Sequence, residues 1–163
     1  MQDAHWVDVR KERPALAGFV ANLVVFVGTP LVVNGVIFGF GMESSSGQTG
    51  LPPGWVVGTI WLVLFAGMGV ARWLLLRSAK THGEQRRVEW VSGLAFLCLL
   101  YPVYTRGFSD LFAGLVGNVV TWLVAVPVAV YAFRRERLAG WCVALLVVWL
   151  SYAVLATARL VYR

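Results

Sequence analysis

Pro52-Pro53-Gly54-Trp55-Val-Val-Gly58-Thr-Ile-Trp61-Leu-Val-Leu-Phe65-Ala-Gly-Met68-Gly69-Val-Ala-Arg72-Trp73 is the stretch whose reading decides the fold. Two prolines open it, at the place where a helix's first N–H groups have no acceptor within the helix. An apolar run then extends from about Trp55 to Leu76 and stops at a water-facing segment carrying Arg77, Lys80, His82, Glu84, Arg86 and Arg87. That length matches the roughly 20 residues a helix needs to cross a bilayer. On such a helix Trp61, Phe65, Met68, Gly69 and Arg72 share one face, an aromatic and thioether surface available to a flat ligand. Trp55 and Trp73 are placed to anchor the helix ends at the two interfaces, and Gly58 and Gly69 to admit close helix packing. Trp61 is expected deeper in the membrane, where its indole N–H needs a partner.

Outward from this stretch the chain repeats the same pattern. Apolar runs cover about 14–40, 55–76, 88–105, 111–133 and 138–161, so the expected fold is an all-α membrane protein, a bundle of five transmembrane helices forming one domain over 1–163. Composition agrees: 59% of the 163 residues are hydrophobic and 13% charged, and the mean hydropathy of +0.73 is that of a chain solvated by lipid. No cleavage-site pattern follows the polar segment from Met1 to Arg13, so the first helix is expected to be retained. The last apolar run places Trp141, Leu145, Trp149, Tyr152, Ala153 and Ala156 on one face, which serves bundle packing as well as it serves a ligand wall. Gly35 with Gly39, and Ala113 with Gly117, are small-residue pairs suited either to packing within the chain or to a homodimer seam.

The net charge of +6 is carried between the apolar runs, without the aromatic interleaving of a nucleic-acid surface. Arg10, Lys11 and Arg13, then Arg77, Lys80, Arg86 and Arg87, then Arg134, Arg135 and Arg137 all fall on one side of a five-span topology, while Arg106, Arg159 and Arg163 fall on the other. The positive-inside rule therefore predicts a cytoplasmic N-terminus and an external C-terminus. Only His5 and His82 are present, both in water-facing segments, so no histidine pair is available to ligate haem iron or a transition metal inside the bilayer. Cys98 and Cys142 stand alone in apolar runs. Glu43, Glu84, Glu89, Asp110 and Glu136 read as loop or helix-end residues, which removes the intramembrane carboxylate of a proton relay. No serine, threonine or cysteine has a histidine base within plausible reach, so no catalytic residue is assigned. Arg72, about one turn inside its span, is expected to snorkel to the interface, and Asn22, Asn34 and Asn118 to bond neighbouring helices.

Residues 52–73 resemble the TspO/MBR family, the tryptophan-rich sensory or translocator proteins, and Trp141 and Trp149 are similar to the tryptophans of that family's last helix. The resemblance implies a five-helix membrane receptor, often dimeric, for porphyrins and other flat or sterol-like apolar ligands. It implies that Trp61 and Trp149 line the pocket, and helical spacing adds Phe65, Met68 and Tyr152 on the same faces as candidate ligand-binding residues. Protoporphyrin or haem would be a ligand rather than a covalently bound cofactor, and the only turnover implied is light-driven porphyrin degradation. A bacterial inner membrane is the expected location. The chain departs from the family in its short Ser/Gly-rich segment 43–51 and in its third helix, which offers Leu94 to Tyr104 without the family's asparagine. Those departures motivate an alternative: a non-catalytic accessory or structural subunit holding a partner membrane protein.

Overall fold

In the computed structural model, which describes residues 16–39, 54–102 and 111–162, the five apolar runs are five helices. They are α1 (Leu16–Gly39), α2 (Gly54–Ser78), α3 (His82–Leu99), α4 (Leu111–Arg135) and α5 (Arg137–Val161), and no strand occurs among the described residues. Segment 43–51, Arg106 and the tail with Arg10, Lys11 and Arg13 lie outside the described residues.

Four of the helices, α1, α2, α4 and α5, are long and apolar enough to cross a membrane. The third starts six residues earlier than its apolar run suggests. Thr81 caps it, its hydroxyl accepting from the Glu84 N–H at 3.2 Å, while the Glu84 carboxylate accepts from the Lys80 N–H at 2.7 Å. This side-chain capping satisfies donors that a helix start would otherwise leave open. The first two turns of α3 are therefore charged, and Glu89, read from sequence as a helix-end residue, stands two turns inside it. Beyond those turns Val88, Val91, Leu94, Ala95 and Cys98 are buried.

Small residues set the distances between helices. Gly114, Ala125, Ala129 and Ala132 of α4 and Ala139 and Gly140 of α5 are buried, and these two helices form the most extensive interface in the bundle. Close backbone approach is how helices associate where lipid removes the hydrophobic drive between them. A single extended residue, Glu136, separates α4 from α5, and beside it Gly140 lies so close to Phe133 that an added Cβ would stand 2.8 Å from the Phe133 Cα. Helix α2 packs on α1, α3 and α5, and α3 also packs on α4, whereas α1 barely touches α3. At Gly69 an added Cβ would lie 3.1 Å from the Phe26 Cβ and 3.3 Å from the Asn22 carbonyl oxygen, so this glycine lets α1 approach α2. Gly58, expected to do the same, has no close neighbour among the described residues, nor has Gly35.

The outer surface is apolar. Val20, Val24 and Leu31 of α1, Val63 of α2, Phe96 of α3, Leu123 of α4 and Leu145, Val148 and Leu155 of α5 are all exposed, the surface a bilayer solvates. The chain is an integral membrane protein. Pro30 in α1 and Pro127 in α4 interrupt helices without ending them, as membrane helices tolerate. Arg135, at the end of α4, pairs with Glu84 at the start of α3 at 2.6 Å, so the basic links α2–α3 and α4–α5 stand at the same end of the bundle.

Candidate functional site

Trp61 sits in the half of α2 nearer Gly54, partly buried against the core. Its ring lies 5.9 Å from that of Phe65 and 5.7 Å from that of Tyr101, both tilted, which joins α2 to the end of α3 through aromatic contact. Phe65 and Met68 are core residues, Met68 wholly without exposure. On α5, Trp149 packs against the same core, with the Tyr152 ring 5.4 Å away and Tyr152 itself exposed.

The α2–α5 register relates the two tryptophans. Gly67 of α2 faces Cys142 of α5, an added Cβ being 3.6 Å from the Cys142 carbonyl oxygen. The two helices run antiparallel, so six residues back along α2 and six forward along α5 bring Trp61 level with Val148, and Trp149 follows within about 1.5 Å of rise. Both side chains thus stand at one height in the bundle, on neighbouring helices. The rest of the α5 face differs: Trp141, Leu145 and Tyr152 point outward, and the inward face is Ala139, Val143, Leu146 and Leu150.

Polar side chains join α4 to α5. The Asn118 amide, fully buried on α4, donates to the Thr157 hydroxyl of α5 at 3.4 Å. Trp122 of α4 donates its indole N–H to Ser151 of α5 at 2.9 Å. Asn34 has no hydrogen-bond partner among the described residues.

A cavity of about 430 Å³ opens elsewhere, between α1, α2 and α3. Of the five site residues read from sequence, only Phe65 lines it. Its other walls include Phe26, Pro30, Ala95 and Phe96, with Asn22, Arg72 and Ser92 at one end. Arg72 does not snorkel. Its Nε donates to Ser92 at 2.9 Å, and its two terminal nitrogens donate to Asn22 Oδ1 at 2.6 Å and to Glu89 at 2.7 Å. Acceptors from α1 and α3 thus engage three of the five N–H donors of the guanidinium within the bundle. Asn22 bonds a neighbouring helix as its place in an apolar run predicts, whereas the parts of Ser92 and Glu89 were hidden in sequence because they depend on how α3 is laid against α2. The available signals were Arg72 and Asn22, polar groups inside apolar runs.

No curated protein and no solved structure matches the chain. A family model does match, over residues 26–163, and covers α2 to α5 whole with most of α1. With five helices, an apolar exterior and a tryptophan-bearing second helix packed on the fifth, the chain belongs to the TspO/MBR family.

Proposed function

We propose that this membrane protein, whose family supports a sensor or transporter type of role, is a receptor that binds porphyrin, as protoporphyrin or haem, or a similar flat apolar ligand between α2 and α5. The observation that carries this reading is the common level of Trp61 and Trp149 on neighbouring helices, read from the Gly67–Cys142 contact. Two indole faces at one height can stack on a flat ring system, and Phe65 and Tyr152 extend the two surfaces. Met68 completes the wall from within the core. The N-terminus is assigned to the cytoplasm and the C-terminus to the outside of a bacterial inner membrane, because two basic links share one end of the bundle.

Titrating protoporphyrin into the detergent-solubilised protein and following tryptophan fluorescence tests the reading. Saturable quenching at micromolar ligand is expected; quenching that rises linearly without saturation defeats it.

A second reading has its own support. The outward aromatic face of α5, with Trp141 64% exposed and Tyr152 43% exposed, suits a partner membrane protein or a second copy of the chain. Stoichiometric co-purification of another membrane protein from native membranes, together with absent porphyrin binding, would favour it.

A further inference from the structure

The cavity between α1, α2 and α3 is lined by neither Trp61 nor Trp149, shares only Phe65 with the site proposed above, and has a different chemistry. One end is polar, where Arg72, Asn22 and Ser92 meet, and the walls running away from it are apolar, with Phe26, Phe65 and Phe96 among them. From Ser92 to Leu99 along α3, and from Asn22 to Pro30 along α1, the lining extends about 10–12 Å at helical rise. Its volume of about 430 Å³ lies within the range of pockets that hold small ligands, roughly 300–1,000 Å³. Since α1 scarcely touches α3, the cavity opens through that seam toward the bilayer.

Arg72 sits six residues before the end of α2, about 9 Å into the span. A guanidinium has five N–H donors, and hydrogen bonds to Ser92, Asn22 and Glu89 engage three. Two N–H groups therefore have no acceptor among the described residues. Glu89 meets Arg72 with a side chain 54% exposed, whereas Arg72 is 23% exposed, and of the two only Arg72 lines the cavity. A carboxylate is the group that a guanidinium takes with paired N–H donors. We infer that this cavity is a second binding site, for a single-chain amphiphile with a carboxylate head, in which Arg72 holds the head and the α1–α3 seam admits the tail from the bilayer. Asn22 orients the guanidinium from α1, and it precedes the stretch matched by the family model.

Binding of radiolabelled palmitate to the protein in uncharged detergent, followed by scintillation proximity, tests the site. Saturable binding is expected, with methyl palmitate competing at least tenfold less well, as loss of a charge-assisted hydrogen bond implies. Arg72→Gln should weaken palmitate binding about tenfold by the same principle. Val25, exposed and on the cavity wall, provides a variant that leaves the polar network intact: Val25→Trp should block palmitate while leaving porphyrin quenching as in the parent. Val148→Trp, on the outer face of α5, should change neither. The inference is overturned by an absence of saturable binding, by equal competition from methyl palmitate, by equal competition from phosphatidylglycerol, or by a Val25→Trp protein that binds palmitate as the parent does.

Discussion

Gly67 and Cys142 meet across the α2–α5 interface at ordinary van der Waals range, a Cβ on the glycine falling 3.6 Å from the Cys142 carbonyl oxygen and 3.8 Å from its Cβ. This contact marks the register of the two helices that carry Trp61 and Trp149.

If both indoles stack on one porphyrin, Trp61→Phe and Trp149→Phe should each weaken binding about three- to tenfold, the size expected when part of an aromatic contact is lost. Folding should survive, since Phe keeps most of the apolar volume. Trp90, 51% exposed on α3, is the fitting control, and Trp90→Phe should bind as the parent does. Trp122 is unsuitable for that purpose because its indole bonds Ser151 across the α4–α5 interface. Fluorescence titration of the three Phe variants checks the expectation, and parent-like affinity in both Trp61→Phe and Trp149→Phe would make these residues ordinary packing.

Three glycine-to-alanine changes should rank by the room each added methyl finds. Gly140→Ala meets Phe133, including its Cα, at the α4–α5 elbow, where backbone cannot yield easily, so a loss of about 2–3 kcal/mol or more is expected. Gly69→Ala requires α1 to retreat by a few tenths of an ångström from Phe26 and Asn22, costing about 1 kcal/mol. Gly67→Ala should be close to neutral, since its nearest neighbours lie at 3.6 Å and beyond. Thermal unfolding in detergent gives the order directly, and a Gly140→Ala protein as stable as the Gly67→Ala protein would contradict the packing described for the elbow.

Acid should loosen the end of the bundle where α3 begins. The Glu84 carboxyl is held below its ordinary value of 4.5, chiefly by the Lys80 backbone N–H it accepts from, against an upward push from desolvation, with Arg135 and the Thr81 backbone adding to the lowering. A carboxylate lowered in the folded state contributes stability that is fully present above 4.5 and is lost as pH falls through the folded value beneath it. The melting temperature of the parent should therefore exceed that of Glu84→Gln at pH 7, with the gap narrowing below about pH 4.5. A gap that stays constant down to pH 3 would place the stabilisation elsewhere.

The helices were legible because their causes are local. Five apolar runs, prolines before α2 and charges closing each run are all visible within twenty-odd residues, and the observed bounds fall within two residues of the runs except at α3. There the Thr81 and Glu84 capping pair extended the helix back through charged residues, overriding the hydropathy boundary.

What the residues face was settled only by tertiary packing, since a helical face has no partner until another helix is laid against it. Sequence spacing grouped Trp141, Leu145, Trp149 and Tyr152 on one face of α5, but the small residues Ala139 and Gly140 drew the adjacent face inward and left most of that aromatic face outside. Arg72 was visible as a charge in an apolar run, yet its direction depended on Asn22, fifty residues earlier, and on Glu89 and Ser92 from the next helix. The cavity beside it exists because α1 is held by α2 at Gly69 and hardly touches α3. The number and length of the helices thus followed from the solvation each segment demands, while the pairing of their faces followed from close backbone approach, a property of two segments at once.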